Sequence, residues 1–428
     1  MNNLKKIAIE HTLLHVFSLR DLFIFFKVYM SQTRDIIRGT LLIAGTSVGG
    51  GMLALPVLTS LGGFLPSLVI YLLCWLFMAC TGLLFLEISL WMGKESNIVS
   101  MAEQTLGLPG KIVAWIVYLF LFYCLTVAYI VGCGDLVVNL FPHSISEWQG
   151  SLLFVICFAP IVFAGAHVVS RVNSYLMLGL AIFFCAFVVI GVPFVDPQNL
   201  RERNWTLALI GLPVSFTAFA YQGIIPTLVH YMSFDTKRIR FSILFGSAIP
   251  FIAYIIWQWL ILGIVPTYGP GGLAEALQNG DTAVQPLKYF IDHPSVYIVG
   301  QCFAFFALVT SFFGVTLGLL DFLADGLKIE KTAMGKFFIC LLIFIPPLAI
   351  AFTFPHIFLT ALEYAGGFGC AILLGLLPIL MVWSGRYRLG LKGPYALWGG
   401  RLLLSVLFLF VIFEIIVGLT LTFQKLIS

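Results

Sequence analysis

The sequence predicts an all-α integral membrane protein with eleven membrane-crossing helices, the first five repeated upside down in the next five. Three observations carry that prediction. The 428 residues are 61% hydrophobic and only 10% charged, where a soluble domain carries roughly 25% charged residues. The apolar residues fall into eleven runs, and a helix crossing the ~30 Å hydrocarbon core needs about 20 residues. Two of the runs, the first and the sixth, are interrupted at matching places by small and polar residues.

In chain order, residues 1–33 read as a tail outside the repeats. Its apolar patch, Leu22-Phe23-Ile24-Phe25-Phe26, is too short to span and fits an interfacial helix; a start of translation at Met30 is the alternative. No small-residue cleavage site follows the patch, so no cleavable signal peptide is expected. The spans follow at about 36–59, 64–92, 109–141, 150–169, 172–195, 205–232, 239–265, 296–326, 335–353, 356–383 and 401–424. They divide into a first repeat over 34–195, a second over 196–383, and a final loop and span over 384–428. Nearly all connections are short. The exception, Pro266 to Ser295, holds Gly269-Pro270-Gly271-Gly272 and a helical piece around Ala274-Glu275-Ala276-Leu277, and is large enough to act as a lid.

Charge orients the spans. Of the 23 Lys and Arg, 15 fall in connections on one side, from Arg34 and Arg38 to Lys392 and Arg401. Arg201, Arg203, Lys288 and Lys425 fall on the other, and the tail holds the remaining four. The positive-inside rule then places the N-terminus in the cytoplasm and the C-terminus outside. The nine cysteines all lie in apolar spans without CxxC pairing, so they read as small buried hydrophobes.

The first interruption is Gly45-Thr46-Ser47-Val48-Gly49-Gly50-Gly51. Each glycine inside a helix costs up to ~1 kcal/mol relative to Ala, so three in a row predict a break. Irregular backbone survives at membrane depth only where protein covers it or it lines a cavity. The reading is two half-helices, the first ending in free carbonyls and the second beginning with free N–H groups and a positive dipole end. Those ends suit an ammonium and a carboxylate, which an amino acid carries together. Taken alone, the stretch also fits a small-residue packing face. The second interruption shifts the balance. It runs from Ser215 to Pro226, and Pro56 and Pro226 follow the two breaks at an offset of 170 residues. Five spans separate the two, so the second set must insert inverted. Paired breaks in inverted halves point to a transport site at their meeting point.

Ionisable groups inside spans are functional candidates by default. Glu87, Asp321 and Asp325 lie near the ends of their spans, within reach of loop Lys and Arg, and read as structural, as does Asp135. His230 reads as an interfacial histidine. Glu363, two turns into the tenth span before Tyr364-Ala365-Gly366-Gly367, is a candidate proton carrier or outer gate. Glu414 lies mid-span in the eleventh helix, outside the repeats, and reads as a packing residue that is protonated or hydrogen-bonded.

The stretch Leu41-Leu42-Ile43-Ala44-Gly45-Thr46-Ser47-Val48-Gly49-Gly50-Gly51-Met52-Leu53-Ala54-Leu55-Pro56 resembles the opening span of the bacterial hydroxy/aromatic amino acid permeases. The eighth span, Thr310-Ser311-Phe312-Phe313-Gly314-Val315 through Leu319-Leu320-Asp321-Phe322, is similar to theirs. The similarity runs from about Arg38 to the C-terminus. It implies the inverted-repeat fold typified by the bacterial leucine transporter. It also implies uptake of an aromatic amino acid, tyrosine first, driven by the proton gradient, in the bacterial inner membrane. Tryptophan, or serine and threonine, are the alternatives within the family.

On this reading the substrate carboxylate meets the N–H groups of Gly49, Gly50 and Gly51, where glycine permits close approach and the dipole favours an anion. The ammonium meets carbonyls near Ala44, Gly45 and residues 216–219, with hydroxyls from Thr46, Ser47 and Thr217. The aromatic ring packs against Phe216, Phe219 and Tyr221. Thr310 and Ser311 raise sodium as the alternative coupling ion, since hydroxyls of the eighth span hold sodium in relatives of this fold. No cofactor, structural metal, nucleic acid or obligate protein partner is expected; the partners are the substrate and the bilayer. A membrane enzyme is disfavoured, because no HExxH or GxSxG motif and no sizeable cytoplasmic domain is present. A channel needs a continuous polar path or charged ring, whereas the polar positions here cluster at two breaks.

Overall fold

The structure is a computed structural model. It describes residues 19–93, 97–140, 144–291 and 293–427, with no side chain described at 19–32 or 426. The described residues build eleven spans and no strand. The first is the bent pair Leu19–Ser47 and Gly50–Thr59. Spans 2 to 5 are Phe64–Met92, Leu108–Leu140, Glu147–Ala164 and Ala166–Gly191. Spans 6 to 11 are Trp205–Tyr231, Thr236–Ile264, Pro294–Leu327, Ala333–Thr353, Phe358–Tyr387 and Gly400–Ile427.

Three differences from the sequence reading have local causes. From Leu19 onward the expected tail is helical and continuous with the first half of span 1. Residues 1–18 and the side chains of the 22–26 patch lie outside what the structure describes. The turn between spans 4 and 5 sits at Gly165, with φ +98°, five residues before the hydropathy minimum. A one-residue turn leaves no polar gap, so Ala166 to Val169 belong to span 5 rather than span 4. A short helix, Ile98–Leu106, precedes span 3; Asn97 and Ser100 close a reciprocal capping box at its start.

Two faces of the bundle are distinguishable by charge: a basic end, where Arg38, Arg238, Lys331 and Arg386 lie, and an opposite end. At the opposite end the long connection carries helices Leu273–Asn279 and Leu287–Phe290. It lies over the second half of span 1, with the Ala283 N–H donating to the Leu53 carbonyl at 3.0 Å. The Thr267 hydroxyl lies 3.4 Å from the Ser60 carbonyl. Burial pushes the Asp281 carboxyl of this connection above the ordinary carboxylate range. Asn279, Lys288 and His356 pull it down, and Glu147 adds to the rise.

The ion pairs at the basic end hold span-end carboxylates, one with a loop cation and one with a cation in the last turn of span 10. Lys331 binds Asp321 at 2.8 Å. Arg386 grips Glu87 through Nε at 2.6 Å and Nη2 at 2.5 Å, and the Leu397 N–H donates to the same carboxylate at 2.9 Å.

Candidate functional site: a cavity where two broken helices meet

Span 1 turns by 53° between its halves. The Val48 N–H makes the last bond of the first half, to the Ala44 carbonyl, and the Met52 N–H the first bond of the second, to the Gly49 carbonyl, both at 3.0 Å. Gly49 caps the second half with extended backbone and no side-chain cap. The N–H groups of the first turn, at Gly50 and Gly51, thus have no partner within the helix. Span 6 is helical over Leu212–Ala218, irregular over 219–221, and helical again from Gln222.

The two breaks touch. A Cβ added to Gly51 would lie 3.1 Å from the Ala218 Cα, tighter than ordinary van der Waals contact, so glycine suits this approach. Tyr254 of span 7 ties the breaks together: its hydroxyl sits 2.7 Å from the Ser47 carbonyl and 2.8 Å from the Ala218 carbonyl. It thereby serves carbonyls that each helix leaves without a partner. The hydroxyl has a single hydrogen to share between these two carbonyls, and losing it removes their shared donor, at a cost of ~1–3 kcal/mol. Tyr254→Phe is therefore expected to fold but to lose roughly tenfold in transport, checked by initial uptake rates in proteoliposomes.

A cavity of about 500 Å³ opens beside the breaks, within the usual ~300–1,000 Å³ of small-molecule sites. Span 1 contributes Gly45, Thr46, Ser47, Gly49 and Gly51; span 6 contributes Thr217, Ala220, Tyr221 and Gly223. Span 3 adds Tyr118, Phe122, Leu125 and Tyr129, and span 8 adds Thr310, Ser311, Gly314 and Val315. A Cβ added to Gly223 or Gly314 would meet nothing, so both positions leave room. The cavity extends toward the basic end, past Leu41, Leu42 and Ile98. Thr46 is exposed, whereas every residue of Gly50–Thr59 is buried. The structure is therefore open toward the basic end and closed at the opposite end.

Over residues 32–418 the chain matches the model of the tryptophan/tyrosine permease family. It belongs to that family. Tyrosine-specific transport system 1 of Haemophilus influenzae is 37% identical over 86% of this chain and 93% of its own length. The tryptophan-specific transport protein of the same organism is 28% identical, covering 90% and 96%. The low affinity tryptophan permease of Escherichia coli (strain K12) is 29% identical, covering 87% and 92%. Among solved structures, the crystal structure of MhsT in complex with L-phenylalanine superposes with a TM-score of 0.63 at 16% identity, over 89% of this chain and 97% of that one. That likeness establishes a shared fold. The protein is a multi-pass membrane permease, a transport protein and not an enzyme.

In this permease, nine residues singled out from the sequence line the cavity: Gly45, Thr46, Ser47, Gly49, Gly51, Thr217, Tyr221, Thr310 and Ser311. Four others do not. Ala44 is buried, and its carbonyl accepts from Val48. Gly50 lies under Tyr129, whose ring would be 2.5 Å from an added Cβ. Phe216 faces away, packed on Phe77 of span 2 and Phe410 of span 11. Phe219 packs on Tyr71, Phe251 and Tyr254. The expected aromatic contact with Phe216 and Phe219 is thus replaced by core packing between span 6 and its neighbours. Tyr221 borders the cavity, but its hydroxyl is held by the Met78 carbonyl at 3.1 Å.

The hydroxyls share one property. Thr46 donates to the Leu42 carbonyl, Ser47 to Ile43, Thr217 to Leu362 and Thr310 to Phe306. Their hydrogens are engaged, so each offers lone pairs and suits a ligand that donates. Ser311 presses on the first break: its Oγ would lie 1.9 Å from a Cβ on Gly49. Glu363 does not line the cavity. It is 7% exposed and forms an ion pair with Lys425 of span 11.

Sequence reasoning missed Tyr254, Tyr129, Asn173 and Cys370, all on intact helices. For Tyr254, the neighbouring Gln258 was an available signal. A glutamine in a span needs partners, and it finds Tyr71 at 2.6 Å and Thr59 at 2.8 Å, fixing that face of span 7 toward span 1.

Proposed function

We propose that this permease carries tyrosine into the cell, across the cytoplasmic membrane, together with a proton. The observation that carries the reading is the open cavity at the junction of two helix breaks, whose free ends present donors and acceptors side by side. The substrate carboxylate is placed at the first turn of the second half-helix, on the N–H groups of Gly49 to Gly51. The ammonium is placed at the end of the first half-helix, among the Gly45 and Thr46 carbonyls. The Thr46 and Thr217 oxygens, which have only lone pairs left to offer, support it there. The ring is placed between Phe122 and Leu125 of span 3 and the open positions Gly223 and Gly314. The relatives named for tyrosine and tryptophan transport support an aromatic substrate. Tyrosine is preferred because the relative with the higher identity is the tyrosine system.

Orientation follows from the positive-inside rule, which makes the basic end cytoplasmic and the structure inward-facing. Alternating access then requires the second half of span 1 and the long connection to part at the outer face. A second reading, sodium coupling, is favoured by one observation: Ser311 presses on Gly49 of the first break, and Thr310 beside it lines the cavity with lone pairs available.

Uptake of labelled tyrosine into proteoliposomes under an inward proton gradient, with and without sodium, tests both. Sodium-independent accumulation that collapses with a protonophore, and is competed by tryptophan or phenylalanine but not serine, is expected. Accumulation only with sodium would overturn proton coupling, and competition by serine alone would overturn the aromatic substrate.

A further inference from the structure

Glu414 has no place in the site described above. It lies in the middle of span 11, is 0% exposed, and neither carboxyl oxygen has a hydrogen-bond partner among the described residues. Its surroundings come from three other spans. On span 10, a Cβ added to Gly367 would lie 3.5 Å from Oε1. Gly367 belongs to a π-helical segment, Ala365–Leu376, a rare geometry that often marks functional sites. Span 6 contributes Pro213, against Gly367. Span 2 contributes Cys74, which lies within electrostatic range of Glu414 and against Ser215. Among the described residues no cation faces the group. The titratable side chains around it are the Cys74 and Cys370 thiols. Lys425, on the same helix, is eleven residues away and paired with Glu363.

An ionised carboxylate so placed, without donors, costs several kcal/mol. Packing alone would be served better by an apolar side chain. The cavity is one side chain away. Cys370 is within electrostatic range of Glu414 and lies against the Thr217 hydroxyl, and both Cys370 and Thr217 line the cavity. Thr217 in turn closes the second break onto span 10 through the Leu362 carbonyl, and Gly366 approaches the Pro213 carbonyl so closely that a Cβ would lie 1.7 Å from it.

We infer that Glu414 is the proton-carrying group of this transporter, a positioning residue that acts on the substrate site through spans 6 and 10. The inference rests on the proton-coupled reading above. With a proton bound, the carboxyl is neutral and fits its apolar slot. When the proton leaves, by way of Cys370 and Thr217 into the cavity, the carboxylate calls for donors. Two hydroxyls of span 6, Ser215 and Thr217, are engaged with the Gly211 and Leu362 carbonyls. Recruiting them shifts the first half of span 6, which forms one side of the substrate site. Proton and substrate are thereby linked through a single half-helix.

The test compares wild type with Glu414→Gln and Glu414→Asp in proteoliposomes. Two assays are run: tyrosine accumulation under an imposed pH gradient, and tyrosine counterflow at equal pH, which requires no net proton movement. Glutamine mimics the neutral acid. Glu414→Gln is expected to keep counterflow within about twofold while its accumulation ratio falls to one and its rate loses pH dependence; Glu414→Asp is expected to recover accumulation. Accumulation by Glu414→Gln equal to wild type would overturn the inference. So would equal loss of both activities in Glu414→Gln and Glu414→Asp, which is the signature of packing. Should the glutamine variant fail to fold, infrared difference spectra of wild type and Glu414→Asp decide. A protonated-carboxyl band that responds to tyrosine and shifts in the aspartate variant supports the inference, and an invariant band overturns it. A wild type that does not concentrate tyrosine under a pH gradient defeats the proton-coupled reading itself, and is seen before any variant is examined.

Discussion

Gly51→Leu is expected to lower tyrosine uptake roughly 10- to 100-fold while the protein still inserts and elutes as a single species from size exclusion. The Gly51 Cα faces the Ala218 backbone, with Cα, Cβ and N all within 3.1–3.3 Å of an added Cβ. Backbone cannot rotate aside as a side chain can. Overpacking of this kind costs ~1–3 kcal/mol, and each ~1.4 kcal/mol is tenfold in an equilibrium. The cost falls on the contact between the two breaks, so the substrate site is lost before the fold is. Gly191→Ala, at the end of span 5 and away from the cavity, provides the contrast: its Cβ would meet nothing closer than 3.5 Å, and near-normal expression and uptake are expected. Wild-type uptake by Gly51→Leu would show that the breaks need not meet for transport.

Arg386→Ala is expected to produce the largest loss of stability, about 3–5 kcal/mol, because removing one partner strands a buried charge. The Glu87 side chain is 1% exposed, and without the guanidinium its remaining partner among the described residues is the Leu397 N–H at 2.9 Å. The Arg386 Nη2 also donates to the Leu397 carbonyl at 2.9 Å. The variant therefore frees the 388–399 connection as well as span 2 from span 10. Replacing both partners, as Glu87→Gln with Arg386→Met, is expected to cost less than the single change, since no charge is then left unpaired. Thermal unfolding of the purified protein in detergent measures both. A single variant as stable as wild type would show that water reaches Glu87.

How much of this was legible in the sequence depended on which physical signal each feature leaves. Spans are written by length and hydropathy, and Phe64–Met92 was bounded to the residue because Gly63 and Gly93 flank it, both with positive φ. The breaks were legible because Gly49-Gly50-Gly51 is intolerable inside an intact helix and Pro226 follows an irregular run. Which way a helix faces was not. Phe216 and Phe219 flank the second break yet point into packing between spans, because phenylalanine serves a core, a lipid face and a ring slot equally well. The contribution of span 3 to the cavity, through Tyr118, Phe122, Leu125 and Tyr129, has no local mark, since its aromatic residues lie along an unbroken helix and nothing in their spacing says which of them face inward. The π-helical segment of span 10 was hinted at by Gly366-Gly367 and Gly369, but π geometry depends on the close approach to Pro213 and Leu121, which only the fold supplies. Glu414 was conspicuous as a carboxyl in a span. Its neighbours, and hence the absence of a partner, required the packing of four helices to be known.

The central claim is that an aromatic amino acid binds where the two breaks meet. Thr46 lies on the cavity wall and is exposed, so the most direct measurement is the rate at which a thiol reagent labels Thr46→Cys, with and without tyrosine. Tyrosine is expected to slow labelling, with half protection at the concentration that half-saturates uptake. Labelling unchanged by tyrosine, in a variant whose uptake still saturates, would place the substrate elsewhere and contradict the account.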